Sequence, residues 1–202
     1  MVTAEQRALA AAADTVLRAD GVPAVDVVWE ALAQVPDPEV PVVSIVELGI
    51  VRAVRWQDDR LQVEVTPTYS GCPATDLIRT MIRERLAAIG VVDVDLVQRL
   101  APPWTTDWIA PEARARLRGF GIAPPHIVAD GAGPRAAAGM PPALAAIDVA
   151  GISPLRRART PVPCPRCGSI DTTLLSQFGS TACKAQYRCT ACREPFDYFK
   201  PH

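Results

Sequence analysis

Two Cys-x-x-Cys pairs close to the C-terminus, Cys164/Cys167 and Cys189/Cys192 with 21 residues between them, constrain this 202-residue chain more than any other feature. A tail of about forty residues is too short to bury a stable core of its own, so it needs a cross-link or an ion in order to fold. Each pair can turn two thiolates toward one centre, and the spacing is close to that of four-cysteine zinc ribbons. Five of the six cysteines crowd into this tail, whereas a disulfide framework usually spreads across its domain. The first residues carry Glu5, Gln6 and Arg7 where a secretory segment needs an unbroken apolar run. Paired cysteines in a reducing compartment read as metal ligands, and the expected location is the cytoplasm. Residues 172–176 and 184–188 read as strands that bring the halves together, giving a small metal-bound β ribbon over 161–202. Zinc and an iron–sulfur cluster both accept four thiolates, and the spacing leaves both open. Cys183 is either a small buried residue or an extra thiol for cluster exchange.

Upstream, the hydrophobic periodicity predicts a separate domain. Residues 25–35 place Val25, Val28, Trp29 and Leu32 at helical spacing, and the prolines of the Pro36–Pro41 loop cannot continue that helix. A strand-type run from Ile50 to Trp56, a turn at Asp58-Asp59 and the alternation of Leu61, Val63 and Val65 predict a β-hairpin. Residues 74–88 form an amphipathic helix stopped by Gly90, and Val92 to Val97 supply a third strand. The expected fold is α/β (α+β), a two-layer sandwich on a small three-stranded sheet. With a proline-started helix at 111–117 added, this domain spans 22–120. Residues 1–21 are an alanine-rich extension of helical propensity, and 121–160 an Ala/Gly/Pro-rich linker.

The 21 basic and 22 acidic residues leave a net charge of −1, which provides no broad positive field for nucleic acid or a membrane surface. The only histidines are His126 and His202, one in the linker region and one at the end, so a histidine acid/base pair is not expected. No glycine-rich phosphate loop with its flanking strand is present. Cys72 stands just before a helix with Pro73 after it, where the helix dipole favours a thiolate. It is a candidate metal ligand or nucleophile, with a buried packing cysteine as the alternative. Asp37 and Glu39 are candidate ligands or bases, or else turn-forming carboxylates. Trp104, Trp108 and Tyr69 either line a surface groove or cover the edge of the core.

The motifs 37–41 (Asp-Pro-Glu-Val-Pro), 47–51 (Glu-Leu-Gly-Ile-Val), 66–74 around Cys72 and 103–108 (Pro-Trp-Thr-Thr-Asp-Trp) together resemble the domain shared by SufT-type and cytosolic iron–sulfur targeting proteins. The tail segments 178–184, 187–189 and 194–200 are similar to one branch, PaaD or PaaJ, of the phenylacetyl-CoA epoxidase operon. That resemblance implies an accessory protein without catalysis of its own. It would assist iron or iron–sulfur centre assembly in an epoxidase comprising a di-iron oxygenase and an iron–sulfur flavin reductase. An alternative is a stoichiometric oxygenase subunit with an electron-transfer iron–sulfur centre, or a zinc-ribbon scaffold. The resemblance further implies that Cys72 is the cluster-handling position, a transient iron–sulfur ligand with Asp37 and Glu39 near it. Many members of the branch carry a cysteine after the final Phe-Lys, where this chain has Pro201. A homodimer is compatible with such a chain.

Overall fold

The computed structural model describes residues 22–69, 71–126 and 161–201. The expected N-terminal extension and nearly all of the expected linker lie outside these residues.

Val25, Val28 and Leu32 recur on one face of helix α1 (Val25–Ala33), and Val28 and Leu32 are fully buried. The loop after α1 turns back on itself: Pro36 bridges to Ser44, and the Asp37 N–H donates to the Val43 carbonyl at 2.9 Å. Strands β1 (Val51–Gln57) and β2 (Arg60–Val65) pair as an antiparallel hairpin around Asp58, whose φ of 52° closes the turn. Helix α2 (Thr75–Ala87) buries Ile78, Ile82 and Leu86 at helical spacing. It returns the chain through Gly90, φ 86°, to β3 (Val94–Gln98), which lies parallel to β2. The sheet order β1-β2-β3 with helices packed against it is the expected mixed α+β sandwich.

Trp104 seals one edge of this core, buried and donating its indole N–H to the Leu48 carbonyl at 2.9 Å. Trp108 instead lies under the Arg52 guanidinium, 3.4 Å from the ring centroid. The loop that carries Trp108 packs so closely that a Cβ on Gly49, φ 71°, would stand 2.7 Å from the Trp108 Cβ. Helix α3 (Pro111–Gly119) then leads into β4 (Ile122–Ala123), at the head of the segment read from the sequence as linker.

Strand β4 joins a second sheet of order β4-β7-β6-β5, whose other members are β5 (Thr172–Ser176), β6 (Lys184–Cys189) and β7 (Pro195–Phe199). The segment that follows the first domain thus contributes an edge strand to the ribbon, parallel to β7. Tyr187 stacks on Phe196 and meets Tyr198 edge-on, which supplies the small apolar layer around the ribbon's cysteines. Phe199 and Cys183 belong to the other core, that of the α/β domain, where Phe199 packs 6.1 Å from the Trp104 ring. Among the described residues no helix is long and apolar enough to cross a membrane.

Candidate metal centre and the pocket between the lobes

Both Cys-x-x-Cys turns end on a residue of positive φ. In the first, Gly168 N–H donates to the Cys164 carbonyl at 2.9 Å and Gly168 adopts φ 76°. In the second, Cys192 N–H points at the Cys189 sulfur, 3.5 Å away, and Arg193 adopts φ 66°. The residue after the second cysteine reverses the backbone in each case, which glycine does at no steric cost.

The turns bring the Sγ atoms of Cys164, Cys167, Cys189 and Cys192 within 4.8 Å of one another. Cys164 and Cys192 are 3.8 Å apart, and Cys167 and Cys189 3.5 Å. Thiolates held at about 2.3 Å from one tetrahedral ion must lie about 3.8 Å from each other, so the donor set fits a single ion. The backbone N–H of Cys192 draws the Cys189 thiol down to about 7 against the opposing effect of burial. Cys192 receives the Glu194 N–H yet is pushed up to about 12 by burial and by hydrogen bonds with Cys189, Cys167 and Cys164. Without a cation the upward shift of Cys192 keeps its thiol protonated at neutral pH, and a bound metal removes that conflict.

At the far end of β6, the structure places Cys72, Asp37, Glu39 and Cys183 on the wall of one narrow pocket between the lobes. Its free volume is about 20 Å³, room for roughly one water. Asp37 is buried, and its Oδ1 accepts from the Glu39 N–H at 2.9 Å and the Val40 N–H at 2.8 Å. That is the turn-forming use of the residue. Burial nevertheless raises its pKa above the ordinary carboxylate value, more than those N–H groups lower it. Glu39 reaches across the lobe boundary, with Oε2 at 3.4 Å from the Cys183 sulfur, and Thr181 Oγ1 lies 3.0 Å from that sulfur. Burial pushes the Cys183 thiol up to about 11.

Cys72 departs from the expected helix-terminus thiolate, because its thiol is shifted upward. Burial is the main cause and the Glu39 carboxylate adds to it, while the Ala74 N–H and the hydroxyls of Thr75 and Thr68 oppose them. Cys72 lies three residues before the first residue of α2, so most of the free N–H groups of that helix are out of its reach. Tyr69, whose hydroxyl is also shifted upward by burial, stands in the field of Cys72, Glu39 and Cys183. Trp104 and Trp108 do not line the pocket.

Thr68, Thr75 and Arg79 are further polar side chains of a wall that is otherwise apolar, and the sequence does not single them out. The same holds for Lys184, which is buried and paired with Asp197 at 3.7 Å. The helical spacing of Arg79 with Cys72 and Thr75 is the one signal that could have found it. Nothing in the sequence marks Lys184 as buried.

Comparison with known proteins finds two family matches. One, described as "PaaD zinc beta ribbon domain", covers residues 151–200, and the other, "Iron-sulfur cluster assembly protein", covers residues 25–98. The chain is 48% identical over 178 residues to an Escherichia coli (strain K12) protein named as a component of "Putative 1,2-phenylacetyl-CoA epoxidase", spanning 88% of this chain and 93% of that protein. It is 33% identical over 88 residues to "Fe-S protein maturation auxiliary factor" of Porphyromonas gingivalis (strain ATCC BAA-308 / W83), spanning 43% of this chain and 83% of that one. Among solved structures, a domain of unknown function from Bacillus anthracis superposes with a TM-score of 0.44 at 26% identity, over 46% of this chain and 90% of its own. The ribbon match and the converging sulfurs together make the four C-terminal cysteines a metal-binding centre.

Proposed function

Because the chain belongs to the PaaD family of 1,2-phenylacetyl-CoA epoxidase components, we propose that it is an accessory maturation factor for the multicomponent phenylacetyl-CoA epoxidase. It would act in aerobic phenylacetate degradation by assisting assembly of an iron or iron–sulfur centre in the complex. Its partners on this reading are the di-iron oxygenase and the iron–sulfur flavin reductase. The observation that carries the proposal is the inter-lobe pocket, where Cys72 and Glu39 converge without any histidine among the lining residues. Such a lining offers metal donors rather than a proton-transfer pair.

In this reading Cys72 is the transient ligand of the cargo metal, and Glu39 stands beside it. Asp37 positions Glu39 by capping its backbone N–H. The ribbon holds a permanent zinc, which supplies folding energy rather than chemistry. The sulfur separations of 3.5 and 3.8 Å support one ion, since a multi-iron cluster distributes its thiolates over different metal atoms and separates them further.

Replacing Cys72 with serine in cells that produce the epoxidase tests the role. Epoxidase purified from the Cys72→Ser strain is expected to contain markedly less iron than that from the parent strain, with the accessory chain still folded and zinc-loaded. Full iron loading would remove Cys72 from the mechanism.

The name of the Escherichia coli relative favours a second reading, a standing component of the oxygenase. That reading predicts stoichiometric co-purification and a requirement for the chain during turnover. Equal turnover of fully metal-loaded epoxidase with and without the chain would exclude it.

A further inference from the structure

Along β2 the buried Leu61, Val63 and Val65 alternate with Gln62 and Glu64, which stand on the opposite face of the sheet. At one end of that face the guanidiniums of Arg52, Arg55 and Arg99 line an open groove of about 450 Å³ together with Glu64 and Thr66. Glu64 is the single carboxylate among the lining residues, so three positive charges face one negative charge in a chain whose net charge is −1. We infer that this groove docks an acidic segment of a partner protein, whose carboxylates the arginines receive. The partner is the client epoxidase, which rests on the reading of the chain as a maturation factor.

Three features carry the inference. Glu64 shows how the groove receives a carboxylate: its Oε1 accepts from the Arg99 guanidinium at 3.0 Å and from that of Arg55, and the Arg99 hydrogen bond is the main effect holding its carboxyl below the ordinary value. A guanidinium carries more N–H donors than one carboxylate uses, and the Arg55 and Arg99 side chains remain 44% and 52% exposed. Arg52 has no carboxylate partner among the described residues. Its guanidinium lies over the Trp108 ring, a contact that fixes the side chain and leaves its charge without an anion. No aromatic side chain lines the groove and the Trp108 ring is already covered by Arg52, so a nucleobase would find nothing to stack on. Carboxylates of a protein therefore fit the groove better than a nucleic acid.

The groove and the Cys72 pocket share one stretch of chain. Thr66, on the groove, follows directly on β2, and the chain runs from there through Pro67 and Thr68, which line the pocket, to Cys72. At the start of β1, Ile50 likewise borders the pocket and Arg52 the groove. A partner segment held by the arginines is thereby kept at the edge of the domain that carries Cys72. Exposed ion pairs are individually weak and screened by salt, so docking of this kind is reversible, as delivery requires.

Fluorescence anisotropy of a labelled peptide of alternating Glu and Gly, titrated with the zinc-loaded full chain, reads the groove without the epoxidase. Binding is expected at low salt and should weaken severalfold as salt is raised to about 0.3 M. Arg52→Gln and Arg99→Gln should each weaken it about threefold and the double variant about tenfold, while Arg83→Gln, at an exposed position of α2, leaves it unchanged. Glu64→Gln should tighten binding about threefold, because it keeps the side chain's shape and removes the carboxylate that competes for Arg55 and Arg99. Zinc content and far-ultraviolet circular dichroism confirm that each variant is folded. Unchanged binding in the double variant, or weaker binding in Glu64→Gln, would overturn the groove. Tighter binding of a single-stranded oligonucleotide of equal charge would overturn its assignment to an acidic protein segment. With purified epoxidase in place of the peptide the same order of variants is expected. Equal binding of epoxidase to the parent and the double variant would overturn the groove as its docking site and leave the maturation role standing; a parent chain that binds the peptide but no epoxidase would overturn the epoxidase as partner.

Discussion

Asp37 and Glu39 are two positions apart in one proline-rich loop, yet their surroundings give them different work. One oxygen of Asp37 is committed to the N–H groups of Glu39 and Val40. Asparagine keeps that oxygen, whereas alanine leaves both N–H groups without it. Asp37→Ala is therefore expected to destabilise the domain by about 2 kcal/mol and Asp37→Asn not at all, as measured by urea denaturation at pH 7. The pH dependence has a definite sign. Burial raises the folded pKa above the ordinary value of 3.8, so ionised Asp37 opposes folding increasingly as pH rises through the interval between the two. The stability of Asp37→Asn relative to the parent should accordingly increase from pH 3 to pH 7. Gly49 is a second residue whose role depends on its surroundings. At φ 71° and with Trp108 so close, Gly49→Ala should cost about 2–3 kcal/mol in the same assay. The Asp-Pro-Glu-Val-Pro loop is legible as a turn and as a candidate ligand source, but residue types alone cannot say that Asp37 is the one committed to the turn. Cys183 is ambiguous for the same reason, since a buried thiol and a ligand thiol are spelled alike.

At the scale of elements, the helices and the hairpin are legible because each has one wet and one dry face, which fixes the period of the apolar residues. Strand β7 is not. It begins at Pro195 and includes Asp197, so the alternation of Phe196 and Tyr198 is short and interrupted. Strand β4 has two residues, too few for any period. These two strands are the ones that join the lobes, and Phe199, the last residue of β7, is inserted beside Trp104. Phe199→Ala is expected to cost about 3–5 kcal/mol. It should also make the ribbon more susceptible to limited proteolysis than the α/β domain, whereas loss of both lobes together would contradict this placement. Strand β6 carries Cys189 at one end and begins just after Cys183, so a single strand of about 20 Å links the metal centre to the pocket.

Taken as a whole molecule, the metal-binding ribbon supplies part of the wall of the pocket between the lobes. The contact between Glu39 and Cys183 spans 144 positions. No local pattern reports a contact of that range, and this is why the four-cysteine centre is plain from its spacing while the composite pocket is not. Removing the ribbon metal with a chelator should unfold the ribbon and expose Cys183 to thiol reagents, leaving the α/β helices in place; restored metal should protect Cys183 again. Because the ligands must be deprotonated, the chelator should succeed more readily as pH falls from 7 toward 5. On the maturation reading this chain supplies metal to the epoxidase, and transfer can be measured directly. Iron-depleted epoxidase would be mixed anaerobically with the iron(II)-loaded chain in the presence of excess chelator, and recovered turnover followed. The maturation reading predicts recovery with the chain and little with the same iron(II) added free or with Cys72→Ser; equal recovery in all three would contradict it.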